Sequence, residues 1–209
     1  MAKILTSFKA GVRGATEPLG RTLLRAGVSP DAVTLLGTAG VLVGVLGFAV
    51  RGHLVAATFI ITASCLTDVV DGAIARARGK PSRFGALLDS TMDRVADGAI
   101  FAGVAWYLGK TGDQWSAAAA LICLVGGQVV SYVKARAEGL GLSADVGIAE
   151  RLERLIIIGV GGLLTGFGVD WGLPVALWVL AVLSVITAAQ RILYVRAQDR
   201  AQDRVAHEQ

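Results

Sequence analysis

Long apolar stretches, separated by short polar segments, dominate the chain from residue 32 onward. Each is close to the roughly 20 residues that an α-helix needs to cross a bilayer. They cover residues 32–50, 54–74, 84–108, 115–133, 149–167 and 173–194. The pattern predicts an all-α integral membrane protein with six transmembrane helices and no separate soluble domain.

The amino end has a different pattern. Apolar residues at positions 4, 5, 8 and 12 share one helical face, whereas Lys3, Lys9 and Arg13 lie elsewhere on the helix. This arrangement is typical of an amphipathic helix lying on a membrane surface. We therefore divide the chain into a cytoplasmic juxtamembrane amphipathic segment, a six-helix domain and a polar cytoplasmic tail, at residues 1–30, 31–195 and 196–209.

Composition and charge add an orientation to this picture. The chain is 54% hydrophobic and its mean hydropathy is +0.63, which is too apolar for an ordinary soluble domain. Of its 20 Lys and Arg residues, Arg51 and Lys110 fall on one side of the predicted membrane and Arg94 lies inside a span. The rest lie at the two ends and in the loops on the opposite side. By the positive-inside rule that side is cytoplasmic, in a multi-pass protein of the cell membrane with both termini inside.

The pI of 9.4 fits the same orientation. Anionic lipid head groups attract basic segments next to a membrane, and a phosphorylated substrate would need cations as well. The basic balance therefore requires no nucleic-acid partner.

Four aspartates lie within the second and third apolar stretches: Asp68, Asp71, Asp89 and Asp93. A charged side chain at the centre of a membrane helix costs roughly 2.5–3.5 kcal/mol on insertion scales, so such residues usually have a function. The first pair is three residues apart and the second pair four, so each pair shares one helical face. Because a short basic turn containing Pro81 joins the two spans, all four carboxylates are expected near the cytoplasmic side.

Four carboxylates in a low-dielectric site raise one another's pKa unless cations compensate them. Oxygen ligands suit Mg²⁺ or Mn²⁺, and two such ions can clamp a phosphate during displacement. The small residues Gly72, Ala75 and Gly85 would let a nucleotide approach the backbone closely. Transport of protons or metal ions also uses carboxylates within membranes, and a purely structural acidic cluster is a further alternative.

The spacing of these residues resembles the signature of the CDP-alcohol phosphatidyltransferase family, D-x2-D-G-x2-A-R-x8-G-x3-D-x3-D. All eight fixed positions are present: Asp68, Asp71, Gly72, Ala75, Arg76, Gly85, Asp89 and Asp93. The six-span layout resembles the family as well, so the resemblance covers nearly the whole chain.

The resemblance implies transfer of a phosphatidyl group from CDP-diacylglycerol to an alcohol, with release of CMP. It implies that two divalent cations, Mg²⁺ or Mn²⁺, are bound by the four aspartates, and that Asp93 also acts as the general base. It further implies a homodimer. By the same resemblance the residues that contact CDP-diacylglycerol are Asp31, Ala32, Val33, Thr34, Gly72, Ala75, Arg76, Ser82 and Gly85.

Basic residues near the ends of the last three spans are candidates for binding the acceptor. Three predicted helix ends carry cations to one side of the membrane, as a phosphorylated acceptor would require. Segments 18–21, 25–31 and 134–139 resemble an actinobacterial branch of the family whose acceptor is myo-inositol phosphate. By that resemblance the acceptor contacts Ser131, Lys134, Arg136, Arg154 and Arg191.

Two alternatives stay open from the sequence. The basic residues also suit glycerol 3-phosphate, which would give phosphatidylglycerophosphate, and a divalent-metal transporter would also use intramembrane carboxylates. Asp97 extends the face of Asp89 and Asp93 by one turn, and we expect it to be a structural partner of Arg94 or of a polar residue on a neighbouring span.

Overall fold

The structure, a computed structural model, describes residues 18–79 and 82–207, with side chains as far as residue 202. This part of the chain is helical and contains no β-strand. The amphipathic helix predicted at the amino end lies outside the described residues. Residues 18–25 form α1, and the helices that follow are α2 (Pro30–Gly47), α3 (Leu54–Cys65), α4 (Thr67–Ala77), α5 (Arg83–Thr111), α6 (Gln114–Gly139), α7 (Arg151–Gly166) and α8 (Gly172–His207).

Four helical segments of the described chain are long and apolar enough to cross a membrane. They are Pro30–Arg51, Leu54–Ala77, Gln114–Gly139 and Gly172–Gln202. Helix α5 has 29 residues but carries several charges, and α7 has only 16 residues, fewer than the roughly 20 of a typical span. Large apolar side chains such as Leu36, Phe59 and Trp106 are exposed on the outside, as expected where lipid is the solvent. The protein is therefore membrane-integral, and the two further spans stay a prediction.

The helices pack in a closed ring. Helix α2 contacts α5, α5 contacts α6, α6 contacts α8, α8 contacts α7, α7 contacts α3, and α3 returns to α2. Helix α4 packs against α2 and α3, on the same side of the ring. Phe101, Leu177 and Leu180 are among the fully buried residues at the centre. Within this arrangement, side chains of α4, α5 and α7 meet through ion pairs.

Two glycine pairs with the i, i+4 spacing typical of close helix packing face α3 within the same chain. A Cβ at Gly40 would collide with the Ser64 side chain, and one at Gly44 would lie 2.8 Å from the Ile61 side chain. A Cβ at Gly166 would lie 2.6 Å from the Val55 side chain. The glycines thus allow α2 and α7 to approach α3 closely, which is the use such residues commonly have in membrane helices.

The second predicted span is interrupted just before the first aspartate. Helix α3 ends at Cys65 and α4 begins at Thr67. The Ser64 hydroxyl donates to the Ile60 carbonyl (2.8 Å) and the Thr67 hydroxyl donates to the Ser64 carbonyl (2.6 Å). Such hydroxyl-to-carbonyl bonds compete with the helical ladder and bend helices. The sequence predicted one continuous helix here because apolar periodicity does not report these local bonds.

Candidate active site

Helix α4 holds the first two aspartates, and α2 fixes one of them. The Thr34 hydroxyl, in the first turns of α2, donates a 2.7 Å hydrogen bond to Asp71 Oδ2. Both Thr34 and Asp71 are buried, whereas Asp68 is half-buried. The Ser29 hydroxyl caps α2 by accepting from the Ala32 amide, so the start of this helix has a defined position. Val33 lies in the same turn.

The start of α5 lies beside the start of α2. The Ser82 hydroxyl accepts from the Gly85 amide (3.1 Å) and so caps α5. A Cβ at Gly85 would lie 3.2 Å from Asp31 Oδ1, so only a very small residue fits between the two helices. Asp31, Ser82 and Gly85 were each predicted to contact CDP-diacylglycerol, and they are neighbours in the structure.

Arg76 covers the glycine of the aspartate frame. A Cβ at Gly72 would lie 3.1 Å from Arg76 Nη1, and the Arg76 side chain is itself exposed at the end of α4. Ala75 precedes it and is half-buried. The guanidinium therefore stands at the rim of the acidic site, where an anionic ligand could reach it.

Helix α5 contributes the second pair of aspartates. Asp89 is exposed, and Asp93 is half-buried. Asp93 Oδ2 lies 3.7 Å from Arg94 Nη2, and Asp93 Oδ1 lies 2.9 Å from Arg151 Nη1. The carboxylate expected to act as a base thus has two guanidinium groups beside it.

Arg151, the first residue of α7, connects both acidic helices. Its Nη1 also donates to Asp68 Oδ2 at 2.6 Å, and its Nε donates to Asp97 Oδ1 at 3.3 Å. Arg151 was not among the site residues predicted from the sequence, although it is one of the basic residues near the start of the fifth predicted span. Its spacing of three residues from Arg154, which puts the two on one helical face, was the available signal.

Asp97 is a buried structural partner, as expected, but its partners are on α7. Its Oδ2 accepts from Arg154 Nη2 at 2.6 Å, and its Oδ1 accepts from Arg151. Arg154 is 2% exposed and Asp97 4%. Neither expected partner is observed as stated: Arg94 does not pair with Asp97, and the arginines that do are on α7, which lies across the ring from α5 and not next to it.

The donor set of the acidic site fits Mg²⁺ or Mn²⁺, because its side-chain donors are carboxylate oxygens on facing helices. In residues 18–79 and 82–202, no three acidic, His or Cys side chains converge on one point. The Arg151 guanidinium lies between Asp68 and Asp93, so its positive charge compensates the negative charges of these two carboxylates.

The predicted acceptor residues lie on α6, α7 and α8, and they differ in exposure. Ser131 donates to the Gly127 carbonyl (2.9 Å), and Arg136 is exposed. Lys134 Nζ lies 2.5 Å from Asp145 Oδ1, in the loop between α6 and α7. The hydrogen bond from Lys134, together with the positive charge of its ammonium, holds the pKa of Asp145 below its usual value.

Arg191 and Arg154 are buried among backbone carbonyls. Arg191 donates to the carbonyls of Val146 and Val130, both at 2.8 Å, and lies 3.1 Å from Glu150 Oε1. Arg154 Nη1 reaches the Ala149 carbonyl at 3.4 Å, and within the described chain its buried Nε has no hydrogen-bond partner. Arg191 thus holds the loop between α6 and α7 onto the bundle, whereas the short contact of Arg154 is with Asp97 on α5.

An apolar cavity of about 540 Å³ lies between α3 and α7. Leu54, Ile61 and Leu155 are among its lining residues, and Asp68 and Arg151 line it too. The cavity is therefore continuous with the acidic site. A ligand with a charged head and apolar chains could place the head at the acidic site and the chains in the cavity.

These features define a helical membrane domain with a cluster of carboxylates and arginines at the junction of α4, α5 and α7. The family model for CDP-alcohol phosphatidyltransferase matches residues 27–190. The chain belongs to this family, and the resemblance inferred from the aspartate spacing is confirmed.

Relatives of the chain share a more specific name. It is 50% identical to a phosphatidylinositol phosphate synthase of Mycobacteroides abscessus over 190 residues, which cover 90% of this chain and 86% of that protein. It is 48% identical to the synthase of Streptomyces avermitilis over 194 residues, covering 89% and 80%.

Solved structures of the Mycobacterium tuberculosis phosphatidylinositol phosphate synthase are similar in fold. The one with CDP-DAG bound is 46% identical, with a TM-score of 0.82, and the match covers 86% of this chain and 92% of that one. A structure in complex with manganese and citrate gives the same identity and TM-score, covering 86% and 88%.

Proposed function

We propose that the protein is a phosphatidylinositol phosphate synthase, which transfers the phosphatidyl group from CDP-diacylglycerol to myo-inositol phosphate and releases CMP. The complete aspartate frame, in a chain 50% identical to a synthase of that name, carries this proposal. Family membership favours a transferase over the metal transporter that the carboxylates alone would allow.

CDP-diacylglycerol would bind where α2, α4 and α5 meet. The adjacent residues Asp31, Ser82 and Gly85 leave little room for side chains, which suits a nucleotide lying against the backbone. Arg76, exposed at the rim, would bind phosphate oxygens. The apolar cavity beside Asp68 would accept acyl chains of the lipid. The remaining predicted contacts are Ala32, Val33, Thr34, Gly72 and Ala75.

Asp68, Asp71, Asp89 and Asp93 would hold two Mg²⁺ or Mn²⁺ ions. When bound, such ions neutralise the carboxylates and the developing charge on phosphate oxygens. Thr34 holds Asp71 in a fixed orientation through its 2.7 Å bond, and the structure of the manganese-bound relative supports a divalent ion in this family.

The chemistry needs one base. A hydroxyl oxygen of inositol phosphate attacks the lipid-side phosphorus, the bond from that phosphorus to the bridging oxygen breaks, and the oxygen leaves with CMP. Asp93 accepts the hydroxyl proton. It lies deeper in α5 than Asp89 and is half-buried, which limits competition from water.

Ser131, Lys134, Arg136, Arg154 and Arg191 would hold the acceptor. Lys134 and Arg136 are the accessible cations of this set, and we assign the acceptor phosphate mainly to them. Arg154 keeps an unpartnered buried Nε, whereas the guanidinium of Arg191 is committed to two carbonyls. Arg191 would therefore act mainly by holding the loop between α6 and α7 in place.

Lys134→Ala and Arg136→Ala should each raise the acceptor KM about tenfold or more, because a lost charge-assisted hydrogen bond costs about 1.5–3 kcal/mol. The KM for CDP-diacylglycerol should change little. Steady-state CMP release measures both constants. An unchanged acceptor KM in both variants would contradict the assignment.

The same proposal includes the membrane arrangement. Six spans with both termini and the active site in the cytoplasm are supported by the distribution of Lys and Arg, and α5 and α7 would cross within the ring of helices. The domain division at residues 30 and 195, the cell membrane location and a homodimer complete it. Cysteines introduced at residues 52 and 80 test the sidedness: the first should be labelled from outside the cell membrane and the second from the cytoplasm. Cross-linking of the protein in membranes tests the homodimer.

Product analysis tests the reaction itself. Purified protein would be incubated in detergent with CDP-diacylglycerol, Mg²⁺ and inositol phosphate, and the lipids analysed by mass spectrometry. The proposal predicts phosphatidylinositol phosphate in an amount equal to the CMP released. CMP release without that lipid would overturn the proposed acceptor.

A further inference from the structure

Arg151 makes more contacts with acidic side chains than a simple ion pair requires. Its guanidinium lies within 2.6 Å of Asp68, 2.9 Å of Asp93 and 3.3 Å of Asp97. The first two belong to the proposed metal ligands and sit on different helices, whereas Asp97 does not belong to that set. A single cation thus links α4, α5 and α7 through their carboxylates.

The geometry gives Arg151 the charge-compensating role that a divalent ion would have. A guanidinium is permanently charged and presents several donors in a fixed plane, so it can bridge two carboxylates. A metal ion bound by Asp68 and Asp93 would lie close to this guanidinium, and because the two cations repel each other, they compete for the same pair of carboxylates.

Asp97 and Arg154 hold the Arg151 side chain close to Asp68 and Asp93. Arg151 Nε bonds to Asp97, which is itself held by Arg154 at 2.6 Å. Because this anchor lies outside the proposed metal ligands, the guanidinium can give up Asp68 and Asp93 without leaving the site.

We propose that Arg151 is a built-in counter-cation that holds the acidic helices together when no metal is bound and competes with divalent ions for Asp68 and Asp93. This inference rests on the proposed metal-dependent function. By this competition Arg151 sets the concentration at which divalent ions bind. Before they bind, its positive charge reduces the repulsion among the four carboxylates.

The proposal predicts opposite effects on stability and on metal affinity. Arg151→Gln should lower the thermal unfolding temperature of the protein in EDTA, since the carboxylates lose their counter-charge. The same variant should bind Mn²⁺ about tenfold or more tightly, because a unit charge about 4 Å away acts strongly in a partly buried site. Damage to the fold alone would weaken Mn²⁺ binding, so the sign separates the two explanations.

The test is a Mn²⁺ titration of the full chain in detergent, with free Mn²⁺ followed by electron paramagnetic resonance. Arg151→Lys, which keeps a charge but cannot bridge as a guanidinium does, should bind severalfold more tightly than the wild type. Lys110→Gln is the matched control: it removes an exposed positive charge from the last turn of α5, at the opposite end of that helix from Asp89, and the Mn²⁺ affinity of this variant should stay unchanged.

The outcomes separate this inference from the proposed function. A wild type that binds no Mn²⁺, or whose binding survives Asp68→Asn with Asp89→Asn, would overturn the metal site itself. A wild type that binds, with unchanged or weaker binding in Arg151→Gln, would overturn the role of Arg151 alone. If Arg151→Gln does not fold, the same criterion applies to Arg151→Lys.

Discussion

Asp93→Asn should reduce turnover by about 10²–10⁴-fold, which is the contribution that a positioned general base typically makes. The amide keeps the size of the side chain but cannot accept the proton of the attacking hydroxyl. Helix α5 should form as before, because Asp93 is half-buried and its contacts are with Arg94 and Arg151 at the surface of the site. CMP release with saturating CDP-diacylglycerol and inositol phosphate measures the effect.

The matched control for this variant is Glu153→Gln, which removes an exposed carboxylate from the first turn of α7. It should keep wild-type turnover. Binding of CDP-diacylglycerol and the thermal unfolding temperature are measured for both proteins. Full turnover by Asp93→Asn would remove Asp93 from the proposed chemistry.

The second large effect is expected on the free energy of unfolding, when the buried carboxylate of Asp97 is removed. Asp97→Ala should destabilise the protein by about 3–5 kcal/mol, because removing one partner of a buried ion pair leaves an uncompensated charge. The charge left behind is Arg154, which is 2% exposed and bonds to Asp97 at 2.6 Å. The decrease in thermal unfolding temperature of the detergent-purified protein reports this loss.

Two comparisons make that result specific. The double variant Asp97→Ala with Arg154→Leu removes both charges, so it should recover part of the lost stability. Asp145→Ala breaks an exposed pair with Lys134 and should leave the unfolding temperature unchanged, since exposed pairs contribute little. Equal unfolding temperatures for Asp97→Ala and the wild type would contradict a structural role for the buried pair.

The helical positions of the four aspartates could be predicted from the sequence. The spacing of Asp68, Asp71, Asp89 and Asp93 predicted two facing helical pairs, because helical periodicity is local and a short turn joins the two spans. The family followed from the same spacing. Hydropathy also predicted the helices in nearly correct positions, with two exceptions. Hydroxyl groups of Ser64 and Thr67 interrupt the second span at Leu66, and the last helix continues through the predicted tail to His207.

Long-range partners could not be predicted in the same way. Arg151 bonds to a carboxylate 83 residues earlier in the chain, and Arg191 donates to a carbonyl 61 residues earlier. Such contacts depend on how the ring of helices closes and on which face of α7 turns inward. The sequence therefore indicated a group of cations on one side of the membrane, but it did not distinguish exposed Arg136 from buried Arg154 and Arg191.

The identity of the acceptor decides which member of the family this protein is, and one measurement tests it most directly. CMP release by the detergent-purified protein would be measured with CDP-diacylglycerol and Mg²⁺, offering inositol phosphate, free inositol and glycerol 3-phosphate in separate reactions. We expect release with inositol phosphate only. Release with glycerol 3-phosphate alone would contradict the proposed acceptor while keeping the family chemistry, and no release with any of them by folded protein would contradict the proposed reaction.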